Sequence, residues 1–157
     1  MIRLVPMKKK DFESFMEISM KDQMQGQVRA GVWSAEEAPA NMDKLRRQML
    51  PDGISTPGHH FFSVEEPASG DMIGALWYMI VEDEGDRQVF VFDIQIDNDH
   101  RRHGYGSQVF KAMEEDVKTQ GINTISLHVF EDNLPARAMY KKLGYHGTTT
   151  MLSKKLG

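Results

Sequence analysis

Apolar positions recur with two different periods along the chain, and the switches between them predict its elements. Ile2 to Val5 reads as a short strand ended by Pro6. From Lys10-Asp11 onward, Phe12, Phe15, Met16, Ile18 and Met20 give an approximate helical face that runs toward Val28 before Gly31. Ser34, followed by Glu36 and Glu37, has the composition of a helix N-cap with acids in the first turn, and Met42, Leu45 and Met49 continue as a helical stripe. Leu50 to Gly58 is a loop carrying Pro51, Gly53, Pro57 and Gly58. His59 to Glu65 and Met72 to Val81 read as an antiparallel hairpin around a turn at Pro67 to Asp71. Val89 to Asp97 is a third strand beyond the acidic turn Glu82 to Asp86. A helix over Gln108 to Gln120 is followed by a strand over Asn123 to Phe130, and a strand reached through a helix is expected to pair in parallel. Asn133 to Leu143 is a short helix closed by Gly144, and Thr148 to Lys154 reads as a last strand. The order β-α-α-β-β-β-α-β-α-β is α+β, with a mixed sheet, in a single domain over residues 1–157.

Composition narrows the setting. Hydrophobic residues at 40% and charged residues at 27% describe a globular chain. The net charge of -4 argues against nucleic acid or an anionic membrane as the main partner. No cysteine is present, so disulfides, thiolate metal sites and thiol nucleophiles are excluded, and a reducing interior fits best. The N-terminus lacks the charged-then-apolar order of a signal peptide, and the apolar run Ile73 to Val81 is too short to cross a bilayer. The expectation is a soluble, cytoplasmic protein. The 12 methionines suit flexible core filling.

The stretch Arg101-Arg102-His103-Gly104-Tyr105-Gly106 changes this picture most. It stands between a strand and a helix, where backbone N–H groups and the positive end of the helix dipole face outward. Its glycines let the backbone approach an anion closely, and the two arginines add charge. The spacing is not that of a dinucleotide fold, because Val109 stands where the third glycine belongs, and it is not that of a P-loop. From these residues alone, a phosphate cradle and a tight structural turn stay equally open.

A second stretch, Asn133-Leu134-Pro135-Ala136-Arg137-Ala138-Met139-Tyr140-Lys141-Lys142-Leu143-Gly144-Tyr145, follows the strand at Leu127-His128-Val129. Together the two stretches, about 27 residues apart, resemble the GNAT superfamily of acetyl-CoA-dependent N-acetyltransferases. The first is similar to its Q/R-x-x-G-x-G/A pyrophosphate loop and the second to its N-x-x-A-x-x-x-Y-x-x-x-G-F/Y segment. The order of elements matches that fold along essentially the whole chain. The resemblance implies a mixed, mostly antiparallel sheet of roughly six to seven strands with four helices and a splayed pair of central strands.

It also implies roles. The pantetheine arm of acetyl-CoA is expected against the backbone of Ile94, Gln95 and Ile96. The pyrophosphate is expected on the turn formed by Arg102, His103, Gly104, Tyr105, Gly106 and Ser107. Arg101 either contacts phosphate or staples the turn. Asn133 is expected to hydrogen-bond the pantetheine arm or to stabilise the splayed strand, where the plain alternative is the N-cap of its helix, and the two are compatible. Tyr140 is the expected acid, protonating the departing thiolate, where the plain alternative is a tyrosine packed with Leu134 and Leu143. Two base candidates follow. Asp93 is a carboxylate inside an apolar strand, eight residues before Arg101, and His128 is an imidazole twelve residues before Tyr140. Ordered water is the third route. No metal is expected: His59-His60 point to opposite faces of a strand, and His100 and His103 lack a matching carboxylate. Trp33, Trp77 and Tyr78 belong either to the acceptor pocket or to the core.

The acceptor is expected to be a primary amine of a small molecule or a peptide, bound by Gln23 to Leu50 and the loop to His60. Glu13, Glu17, Asp22, Glu36, Glu37 and Asp43 would suit a cationic acceptor, where the plain alternative is acids on solvated helix faces. The competing readings are a non-catalytic acetyl-CoA-binding sensor of the same fold and a domain whose glycine turn is only structural. A homodimer is compatible with the family, and nothing in the sequence points to one.

Overall fold

The computed structural model describes residues 1–157. In chain order the elements are β1 (Arg3–Pro6), α1 (Lys9–Arg29), α2 (Ala38–Met49), β2 (His59–Glu66), β3 (Asp71–Asp83), β4 (Asp86–Ile96), α3 (Tyr105–Thr119), β5 (Ile125–Leu127) and α4 (Leu134–Lys142). Short 3-10 turns at Gly53–Ser55 and Asn98–His100 sit in the connections. Two compact units result: Met1–Glu13 with Asp52–His128, and Ser14–Pro51 with Val129–Gly157.

The first unit holds the sheet, in the order β1-β2-β3-β4-β5. Three pairings are antiparallel, and β4 with β5 is parallel, as expected for a strand reached through a helix. Register sorts the side chains onto two faces. Leu76, Tyr78, Val89 and Val91 share one face, and α3 packs on it through Val109, Phe110, Met113 and Val117, all buried. Fully burying one such side chain stabilises by about 1.5–3 kcal/mol, so this helix is a main support of the sheet. Tyr78 is pushed above the usual phenol value, mainly by burial and then by the Asp116 carboxylate of α3. The opposite face is aromatic. Trp77, 1% exposed, stacks on Phe61 at 5.2 Å and Phe92 at 4.6 Å. Phe12, in the first turn of α1, meets Phe61 edge-on at 5.0 Å.

The pleat of β4 is interrupted. Trp77 pairs with Asp93 but Tyr78 pairs with Val91, so Phe92 is an extra residue, a β-bulge. Its consequence is a change of phase. Before it, Phe90 and Phe92 lie on the Trp77 face; after it, Asp93 and Gln95 lie there too, while Ile94 and Ile96 join Val89 and Val91 on the α3 face. Without the bulge Asp93 would point into the α3 core.

In the second unit, α1 carries a buried Gly26 where a Cβ would lie 2.2 Å from the Phe130 ring, so only glycine lets that ring rest on the helix. Arg29 Nε donates to Asp132 Oδ2 at 3.1 Å. Ahead of α2, Ser34 and Glu37 form a reciprocal capping box. The Ser34 N–H donates to Glu37 Oε1 at 2.8 Å, and the Glu37 N–H donates to Ser34 Oγ at 3.2 Å.

The sheet has five strands, not six to seven. The segment Thr148 to Lys154 is not a strand: it pairs with nothing, and Met151 and Leu152 are 86% and 89% exposed. Strand-like composition cannot form a strand without a partner backbone to satisfy it. The strand over Asn123 to Phe130 shortens to Ile125–Leu127 for the same reason, since only Val89–Val91 of β4 pair with it.

Candidate functional site

Three features of the first unit meet at the C-terminal end of β4. The first is an open edge. The last β4–β5 pair is Val91 with Leu127, and β4 then continues through Ile96 paired only with β3. Ile94, Gln95 and Ile96 therefore lie beyond the last β5 pair. Gly74, opposite Ile96 on β3, makes this end tight: a Cβ there would lie 2.2 Å from the Gln95 carbonyl oxygen.

The second feature is the turn. Gly104, at φ 76°, occupies the N-cap of α3 in the left-handed region, with open space where a side chain would stand. The helical ladder begins with the Gln108 N–H donating to the Gly104 carbonyl at 3.2 Å, so the N–H groups of Tyr105, Gly106 and Ser107 precede it at the positive end of the helix. Arg102 holds φ 67°, a conformation strained for a residue with a Cβ. Arg101 Nε donates to the Ile96 carbonyl at 2.9 Å, stapling the turn to the end of β4, while the side chain stays exposed. Arg102, His103 and Gly104 are exposed. An exposed loop with two arginines, two glycines and the N–H groups of a helix start suits a pyrophosphate, and the adjoining end of β4 suits the amide-bearing arm of coenzyme A.

The third feature is the pair of base candidates. Asp93 and His128 follow the last β4–β5 pair by two residues and one residue. Asp93 is half-buried and accepts from Gln95 Nε2 at 2.9 Å. His128 is exposed, one residue past β5, with its ring edge-on to Phe90 at 5.1 Å. Both thus stand at the mouth of the splay.

In the second unit, Asn133 Oδ1 accepts from the Ala136 N–H at 3.4 Å, so it does cap α4. Tyr140 is half-buried in α4, its ring 6.1 Å from Tyr145 in an edge-to-face arrangement, while Leu134 is exposed. Two of the acids once suggestive of a cationic acceptor are already engaged: Glu37 by Ser34 and by Lys155 at 3.3 Å, and Asp43 by Arg47. They lend a cationic acceptor no support.

His59 takes part in the aromatic face around Trp77. Its Nδ1 accepts from the Trp77 indole N–H at 3.0 Å, and its ring stacks on Phe92 at 5.6 Å. His60 lies on the opposite face against Tyr78 at 5.3 Å. Burial holds both imidazoles below their ordinary value, and His59 is lowered further by His60. Trp77 is core, and the bulge at Phe92 is the feature that sequence reasoning missed. Its signal was present: Val89 and Val91 are out of phase with Ile94 and Ile96.

Residues 14–145 match the Acetyltransferase (GNAT) family, and the chain belongs to it as an N-acetyltransferase. The uncharacterized N-acetyltransferase YycN of Bacillus subtilis (strain 168) is 32% identical over 155 residues, covering 99% of each chain. The crystal structure of YycN matches with a TM-score of 0.91 at 31% identity, again over 99% of each chain. The ribosomal protein bS18-alanine N-acetyltransferase of Salmonella typhimurium (strain LT2) is 27% identical over 92 residues, 59% of this chain and 60% of that one. AAC(6')-Iy, in complex with the bisubstrate analogue CoA-S-monomethyl-acetylneamine, shares the fold at a TM-score of 0.60 and 14% identity, over 100% of this chain and 99% of that one. No helix is long and apolar enough to cross a membrane.

Proposed function

We propose that the chain moves an acetyl group from acetyl-CoA to a primary amine of a small molecule or peptide by direct attack, as a single catalytic domain of the cytoplasm. The observation that carries this reading is the end of β4 at Ile94–Ile96, which runs beyond the last β5 pair and is stapled by Arg101 to the exposed turn that opens α3. Acetyl-CoA, as co-substrate, supplies a thioester. The β4 edge holds its arm, and the N–H groups of the turn hold its pyrophosphate, with Asn133 a further partner for the arm.

An ammonium has no lone pair, so the acceptor must lose a proton before it attacks. Asp93 or His128 takes that proton, directly or through water. The amine nitrogen forms a bond to the acyl carbon, the carbon–sulfur bond breaks, Tyr140 donates its phenolic proton to the sulfur, and the nitrogen sheds its remaining extra proton to water, from which the phenol regains one. The peptide amine of the Salmonella relative's acceptor keeps peptides in view alongside small amines. Calorimetric titration with acetyl-CoA, followed by free-thiol release on a panel of small and peptide amines, tests the proposal. Binding with thiol release supports it; binding without release on any amine points instead to a sensor.

A further inference from the structure

The turn over Arg102–Ser107 is not held by its own residues alone. The N-cap Gly104 offers no side chain, and Arg102 sits in a strained conformation. The first side chain of α3 makes the long-range connection. The Tyr105 hydroxyl donates a short hydrogen bond to Glu66 Oε2 at the end of β2, across 39 residues of sequence. The second carboxylate oxygen, Oε1, accepts from Ser69 Oγ at 3.0 Å, and Ser69 Oγ in turn accepts from the Asp71 N–H at 3.2 Å. The β2–β3 turn is itself closed by the Gly70 N–H donating to the Glu66 carbonyl at 2.8 Å. The Glu66 carboxylate is therefore fixed at both oxygens, one within its own hairpin turn and one on α3. The Tyr105 ring lies between the two histidines of the loop, 6.4 Å from His100 and 5.9 Å from His103. Accepting from Tyr105 and Ser69 keeps Glu66 below the ordinary carboxylate range and Tyr105 above the ordinary phenol range, as an ionised acceptor and a neutral donor require.

A carboxylate beside a phosphate loop repels the ligand the loop binds, so its presence there calls for a structural return. We propose that Glu66 is a positioning residue for the donor site: through Tyr105 it holds the start of α3, and with it the N–H groups of Tyr105, Gly106 and Ser107, at the spacing a pyrophosphate needs. This rests on the acetyl-CoA reading above. Positioning of this kind acts on ligand affinity and leaves the reacting atoms untouched, so it separates from chemistry in the kinetics.

The test has two readouts on the full chain. Glu66→Ala should raise the KM for acetyl-CoA about tenfold, with kcat and the KM for the amine within about twofold of the parent. Glu66→Gln, which keeps an oxygen to accept from Tyr105, should recover most of that loss. In a double-mutant cycle with Tyr105→Phe, the two losses should not add. In the absence of ligand, amide hydrogen exchange should quicken at residues 102–108 in Glu66→Ala and stay unchanged in the core of β3. An unaltered KM, or a loss shared equally by kcat, or additive losses in the cycle would overturn the positioning role. If the parent chain does not bind acetyl-CoA at all, the functional reading fails, while the exchange measurement still decides whether Glu66 holds the turn.

Discussion

At the scale of single residues, the chemistry divides between groups that handle protons and groups that are barred from doing so. Tyr140→Phe removes one hydroxyl and should lower kcat by about a hundredfold while changing the KM for acetyl-CoA little, because a general acid contributes chiefly in the transition state. Steady-state kinetics check this, and an unchanged kcat would remove the acid role. Asp93→Asn and His128→Gln should be compared by their pH–rate profiles. The variant that loses the limb rising with pH identifies the base, and retention of that limb in both assigns the work to water. His59 and His60 are different. Burial keeps their folded-state values below the unfolded value of 6.5, so the unfolded chain binds protons more readily. The stability they contribute is whole above that unfolded value and is lost as pH falls below it toward the folded values. Melting temperature should accordingly drop between about pH 7 and about pH 5, and His60→Phe should lessen the drop, since the imidazole then has no proton to gain. A variant with the same drop as the parent would show that His60 is not among the groups that titrate.

At the scale of elements, β4 decides where the site lies. It is long enough to outrun β5, it is bulged at Phe92 so that Asp93 leaves the core face, and its end is pressed against Gly74. Gly74→Ala should force β3 and β4 apart at this end, costing about 1–3 kcal/mol in stability and weakening acetyl-CoA binding more than it weakens the fold. Denaturation together with calorimetry measures both, and full affinity in a destabilised variant would detach the strand edge from cofactor binding. Most of the elements were legible in the sequence because period, turn residues and caps agreed within each segment. The Arg101–Gly106 turn and its place between strand and helix were equally legible. What was not legible depended on partners distant in sequence. The Thr148–Lys154 segment has strand composition but no neighbour to pair with. The reach of Tyr105 to Glu66, and of Trp77 to His59, could not be read from local pattern at all.

At the scale of the whole molecule, the family is settled by the match over residues 14–145 and by the likeness to YycN along nearly the full length of both chains. The family uses acetyl-CoA. Family membership leaves the acceptor open, and charge offers little guidance, since Glu37 and Asp43 are already paired. The most direct measurement is therefore free-thiol release from acetyl-CoA by the intact chain over a panel of amines, with mass analysis of the acceptor. The account predicts thiol release that depends on both the chain and a primary amine, matched by the gain of one acetyl group on that amine, and nearly abolished in Tyr140→Phe. Absence of acetyl-CoA binding, or thiol release that continues equally without any amine, would contradict it.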